Sequence, residues 1–126
     1  MTKMLNDERP IDRIKKLAQW YIDKKALPSM KAFELSCGLS EAYIKNMYET
    51  IKGNTGVDSI AKIYKTYKSV SLEWLVLGEG EMLTTSEEEA IANAKEASKG
   101  YSALLFMQRM MKKMSKEELK AIIEKL

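Results

Sequence analysis

Histidine is absent from the 126 residues, cysteine occurs once and proline twice. The first absence removes the commonest metal ligand and general base, and the lone Cys37 cannot close an internal disulfide. Hydrolytic dyads and zinc sites therefore lack their usual residues, so neither an enzyme, a cofactor nor a metal is expected. No apolar run approaches the ~18 residues of a membrane span. Lys3, Asn6, Asp7, Glu8 and Arg9 interrupt the stretch a signal peptide would need, which makes the cytoplasm the expected location. An excess of one charge is also missing. The chain carries 21 basic and 18 acidic residues, and a division after Leu83 leaves +2 before it and +1 after it. Any nucleic-acid binding must then depend on where the charges sit, since neither part is a polycation.

What is present is helical pattern. Apolar residues make up 45% of the chain and recur three and four apart almost throughout, while strand-like alternation is scarce, so the fold class is all-α. A first helix is expected over residues 10–25, with Ile11, Ile14, Leu17, Ala18, Tyr21 and Ile22 on its core face. Ser29 has the chemistry of an N-cap for a second helix over 30–37, where Phe33 and Cys37 share one side. Gly38 stops that helix, because glycine accepts the left-handed backbone that ends helices. Ser40 is then the expected cap of a third helix over 41–50 that turns Ile44, Met47 and Tyr48 inward. Two more helices follow, over 57–67 with Ile60, Ile63, Tyr64 and Tyr67 inside, and from Ser71 with Leu72, Trp74, Leu75 and Leu77. Gly78 and Gly80 break the pattern, and the first unit, residues 1–83, closes.

Residues 30–49 meet the needs of a DNA-reading helix-turn-helix: a bracing helix, a tight turn, and a second helix with a polar outer face. That face carries Ser40, Glu41, Ala42, Lys45, Asn46 and Glu49, with Tyr43 at its flank. Asparagine can pair with adenine, lysine can donate to guanine, glutamate can accept from cytosine, and the alanine methyl can meet that of thymine. Glu41 has a second reading, as a carboxylate placed to favour the positive end of its own helix. Cys37 and Trp74 read as core residues.

The stretch from Ser29 to Met47 resembles the helix-turn-helix of the Cro and lambda-repressor superfamily. The sequence Leu72, Glu73, Trp74, Leu75, Val76, Leu77, Gly78, Glu79, Gly80, Glu81, Met82, Leu83 is similar to the closing helix of phage-repressor-like regulators, in which a Trp-Leu pair precedes a Gly-Glu-Gly turn. The resemblance implies a five-helix lambda-repressor-like domain that binds double-stranded DNA and regulates transcription, most often by repression. It places Ser40, Glu41, Ala42, Lys45 and Asn46 at base edges and Ser29, Lys31, Tyr43 and Lys52 near phosphates. Two positions depart from the family pattern. Met30 stands where glutamine is frequent, and Glu34 stands where a small residue is usual, which suggests that Glu34 lies at the rim of the helix pair.

Residues 84–126 form a helical tail. Ser86 can cap a helix opening with Glu87, Glu88 and Glu89; a further helix is expected over 101–114 after Gly100, and Ser115 with Glu118 has capping-box spacing for a last one. Leu104, Met107, Met111 and Met114 fall at heptad-like spacing, and Leu119 and Ile122 share a side of the last helix. So much apolar surface needs cover, from the chain's own first unit, from a partner, or from a second copy. A dimer is favoured, because two recognition helices related by a two-fold read half-sites one helical turn apart. The alternative function is a protein-interaction module of the antitoxin or anti-repressor type that grips its partner with the Met-rich helices.

Overall fold

The computed structural model describes residues 8–49, 55–113 and 115–125, with the side chains of all of these except Leu104, Leu119 and Ile122. Among the described residues the chain is all-α. Its elements are α1 (Pro10–Asp23), α2 (Met30–Ser36), α3 (Tyr43–Glu49), α4 (Val57–Thr66), α5 (Leu72–Leu77), α6 (Glu87–Lys113) and α7 (Lys116–Lys125). None of these helices is long and apolar enough to cross a membrane.

Helix α1 is the spine of the core. Proline sits in its first turn, where its missing N–H costs nothing, and Ile11, Ile14, Leu17, Ala18 and Tyr21 bury one face. An aromatic column stands beside it: Tyr21 packs on Tyr67 and Tyr67 stacks on Phe33, each pair with ring centroids 5.0 Å apart. Such pairs add roughly 0.5–1.5 kcal/mol each beyond their buried area. The Tyr67 hydroxyl hydrogen-bonds Ser36 Oγ at 2.6 Å, which ties the end of α4 to α2. Tyr64, expected inside with Tyr67, is exposed instead, and so is Tyr48, expected inward on the third helix. Helix α5 buries only Leu75, since six residues turn just one position fully inward; Leu72 and Leu77 face outward and Trp74 is half-buried.

One buried charge stabilises α5. Arg13, 4% exposed on the core side of α1, donates from Nε to the carbonyl of Leu75 and from Nη2 to that of Val76, both at 2.9 Å, and pairs with Glu8 at 3.3 Å. The last carbonyls of a helix have no partner within it and carry partial negative charge, so a guanidinium satisfies them twice over. Gly78 follows with φ +75°, and a Cβ there would lie 2.9 Å from Arg13 Nη1. Only glycine suits that turn, for its backbone and for its space.

An isolated antiparallel bridge, Val70 to Leu83, carries the chain from α5 back across the α4–α5 loop, with Ser71 donating to Met82 and Thr84 to Ser69 through their backbones. Ser86 then caps α6 by accepting from the N–H of Glu89. The start of α6 lies against α2 and joins the core through Ala90 and Ala94, while Asn93 donates to Ser69 Oγ at 3.0 Å. Helix α6 runs unbroken through Gly100, where a separate helix was expected to start. A lone glycine costs a helix about 1 kcal/mol relative to alanine, which 26 flanking helical residues readily absorb. Along the rest of the chain, from residue 102 on, only Leu105 is half-buried among the described side chains, and the others are exposed. Ser115 caps α7 from the N–H of Glu118, as its spacing predicts.

Candidate nucleic-acid interface

The site begins with a local cap. Ser29 Oγ accepts from the N–H of Ala32 at 3.2 Å, which starts α2 where the sequence places it. Phe33 and Cys37 are buried, Gly38 takes φ +82°, and Leu39 and Ile44 close the apolar seam between α2 and α3. The N–H of Leu39 returns to the carbonyl of Glu34 and that of Gly38 to Leu35, so the turn satisfies the end of α2 with its own backbone.

Helix α3 starts differently from the expectation. Its first residue is Tyr43, not Glu41, because Ala42 has φ +65° and interrupts any helical run from Ser40. Ser40 contributes its backbone carbonyl, which accepts from the N–H of Tyr43 at 3.1 Å; the side chain that holds the start of the helix comes from α2. Glu34 is 3% exposed, not at the rim, and its carboxylate accepts from the N–H of Ala42 at 3.1 Å and from that of Ile44 at 2.8 Å. A carboxylate at a helix N-terminus meets free N–H groups and the positive end of the helix dipole, so its burial is compensated. The buried carboxylate of Glu34 thus clamps the angle between the two helices.

The clamp distributes the sequence-expected contact residues over two settings. Ser40 and Glu41 are exposed in the turn ahead of α3, with Ala42 half-buried beside them. Lys45, Asn46 and Glu49 are exposed on the outer side of α3 itself, and Tyr43 is half-buried against the core. Lys31, at the start of α2, reaches Glu41 at 3.5 Å, and Ser29 is exposed next to it. Lys52 lies outside the described residues.

Between these residues is a cleft of about 460 Å³ whose walls include Lys31, Glu41 and Lys45, with Met30, Ile44 and Tyr48 as apolar lining. Lys15 of α1 also lines it, with Nζ 4.5 Å from the ring centre of Tyr48, and Arg9 lies over the same ring at 5.8 Å while donating to the Tyr48 carbonyl. Lys15 lies on the polar side of α1 and Arg9 is the N-cap of that helix. The pattern of α1 speaks only of core, and nothing local in the sequence brings either cation to α3. Together with Lys31 and Lys45 they set four basic side chains around a face whose exposed carboxylates are Glu41 and Glu49. All the lining residues fall between positions 15 and 49, so the tail does not border this cleft.

Cys37 sits behind the seam. Burial pushes its thiol up to about 12, against smaller lowering contributions from Ser36 and Thr66, so the sulfur stays protonated and behaves as a small apolar side chain. Among the described residues no three His, Cys, Asp or Glu side chains gather as a metal site.

Of the tail residues expected to pair two copies, Met107 and Met111 are exposed on α6. Met114 lies outside the described residues, as do the side chains of Leu104, Leu119 and Ile122. Compared with protein-family models, curated proteins and solved structures, the chain finds no match.

Proposed function

We propose that the chain is a sequence-specific DNA-binding regulator of transcription, in which α1 to α5 form a lambda-repressor-like domain and α3, with the turn before it, enters the major groove. The observation that carries this reading is the clamped turn. Glu34 fixes the start of α3 while Ser40, Glu41, Lys45 and Asn46 remain exposed on one side, ringed by Arg9, Lys15 and Lys31, and the tail leaves that side open. Lys45 and Asn46 are the side chains suited to base edges, and the ring of cations suits phosphates. The Lys31–Glu41 pair is surface-exposed and worth little, so a phosphate can take over Lys31 at small cost. The regulator acts as a dimer through its tail and represses by occupying an operator; the resemblance noted above supports repression.

Selection of bound duplexes from a random pool, followed by salt titration of the winners, tests this. Affinity must fall steeply with salt, as it does when several phosphates are contacted. Asn46→Ala should erase the preference at one base position, a loss of about 1–3 kcal/mol, while Lys31→Ala should weaken all sequences alike and lower the salt slope by about one. Failure to bind any duplex, with a salt-insensitive protein complex in its place, would overturn the proposal in favour of a protein-interaction module that uses the exposed methionines.

A further inference from the structure

The cleft before α3 holds more than its cations. Part of its lining is apolar: Met30 from the first turn of α2, Ala42 from the turn, and Ile44 and Tyr48 from α3. Its charges oppose one another, because Lys15, Lys31 and Lys45 share the lining with Glu34, Glu41 and Glu49. Glu34 is committed to the N–H groups of Ala42 and Ile44, and Glu41 lies 3.5 Å from Lys31. A seat for phosphate alone has no use for apolar walls or for as many carboxylates as lysines. Of the four apolar residues, Ile44 is 5% exposed, Ala42 is held in the clamped turn, and the Tyr48 ring has the Lys15 ammonium 4.5 Å from its centre. Met30 is half-buried directly after the Ser29 cap and beside the exposed Lys31, and its unbranched thioether adapts its shape to a small apolar neighbour.

We infer that Met30 receives the C5 methyl group of a pyrimidine, that of thymine or of 5-methylcytosine, and so makes α2 a second reader of sequence beside α3. The inference rests on the DNA-binding reading above and names the base feature that the cleft selects. Every base pair shows hydrogen-bond donors or acceptors in the major groove, and the pyrimidine methyl is the one apolar group among them. Apolar walls on a face that enters the groove therefore have one kind of group to meet. The cleft, at about 460 Å³, takes that methyl and leaves room for the sugar of the same nucleotide. The two first residues of α2 then divide the work: Lys31 grips a phosphate and Met30 reads the methyl. Unlike the Lys31 contact, this one carries no charge, so dissolved salt leaves its contribution unchanged.

Fluorescence anisotropy of the full chain on the duplex recovered from a random pool, with single bases replaced, tests this. Thymine to uracil removes the methyl and keeps every hydrogen-bonding group. At one position of the site it should weaken binding about fourfold, the worth of one buried methyl, and by the same factor at low and high salt. Cytosine to 5-methylcytosine is the second arm: a gain of that size at a position without a uracil penalty assigns the methyl to the modified cytosine. Met30→Ala should abolish the discrimination, so that duplexes with and without the methyl bind alike. Met30→Leu keeps the apolar bulk and should retain it, and urea unfolding checks that both variants fold. Lys31→Ala should weaken both duplexes and leave their ratio unchanged. Salt-dependent binding that is indifferent to the methyl in both arms overturns the inference and leaves the regulator reading standing, as does a discrimination that survives Met30→Ala. A chain that binds no duplex overturns both.

Discussion

Helices α2 and α3 are each seven residues long and lie on either side of one turn, yet they are started by different means. In α2 the cap is a neighbour in sequence, Ser29, whose hydroxyl reaches three residues forward to Ala32. In α3 the side-chain acceptor belongs to another helix: the buried carboxylate of Glu34 spans eight and ten residues to Ala42 and Ile44. The first helix is fixed locally and the second only once the pair has packed. For a molecule proposed to read DNA with α3, this means that the orientation of the reading element and the start of its helix depend on the same side chain.

The comparison breaks most visibly at Glu34. Glu34→Ala leaves two N–H groups without their acceptor, that of Ile44 in a buried setting and that of Ala42 in a half-buried one, and hydrogen bonds to charged groups contribute about 1.5–3 kcal/mol each, part of which offsets the cost of burying the charge. A net loss of about 3 kcal/mol is expected in urea unfolding. Ser29→Ala removes an ordinary exposed cap, so about 1 kcal/mol should be lost. Equal losses would show that α3, like α2, is held by its own sequence and that the clamp does not matter.

The difference also explains which features of the fold are legible in the sequence. Ser29, Ser71, Ser86 and Ser115 each bond an N–H three residues ahead, and such caps are legible because donor and acceptor share one short stretch of chain. Gly38 was legible for the same reason. The core face of α1 followed from its period, since Ile11, Ile14, Leu17, Ala18 and Tyr21 are all buried. The sequence points Glu34 to the rim because its partners are set by packing. It points Ala42 into a helix because the left-handed backbone it adopts is ordinarily announced by glycine or asparagine. Arg9 and Lys15 carry no sequence signal because their placement depends on α1 lying beside α3. Local signals thus locate the helices and the turn between α2 and α3, and the details of the exposed face of α3 depend on tertiary structure.

The seam between the two helices responds to pH through Cys37, which follows α2 immediately. Its thiol titrates near 9 when unperturbed and is pushed up to about 12 by burial. The folded state therefore holds this proton more tightly than the unfolded chain does. The stabilisation is whole below about pH 9 and is lost as the pH climbs toward 12, at about 1.4 kcal/mol per unit. Unfolding free energies measured between pH 8 and pH 10 should fall by about that amount over the last unit, and Cys37→Ala should flatten the decline. A slope that persists in the variant would assign the alkaline loss to the buried tyrosines and leave the seam out of it.

The smallest expected effect has the opposite sign and bears on why α3 starts where it does. A side chain in the left-handed region costs roughly 1–2 kcal/mol, and Ala42 sits there at φ +65°. Ala42→Gly removes that strain but gives the unfolded chain more freedom to lose, worth roughly 0.5–1 kcal/mol, so the net gain should be about 0.5 kcal/mol. The gain must need Glu34. In a Glu34→Ala background the turn is no longer clamped into that conformation, and glycine would only loosen it. A double-mutant cycle in urea reads this directly: stabilisation with Glu34 present and destabilisation without it mean that the carboxylate on α2 imposes the backbone of the turn before α3. Base selection by the Ala42→Gly chain then separates stability from recognition. A thymine preference lost while stability rises would place the Ala42 methyl in the groove, and an unchanged preference would leave Ala42 a purely structural hinge between the clamp and the reading helix.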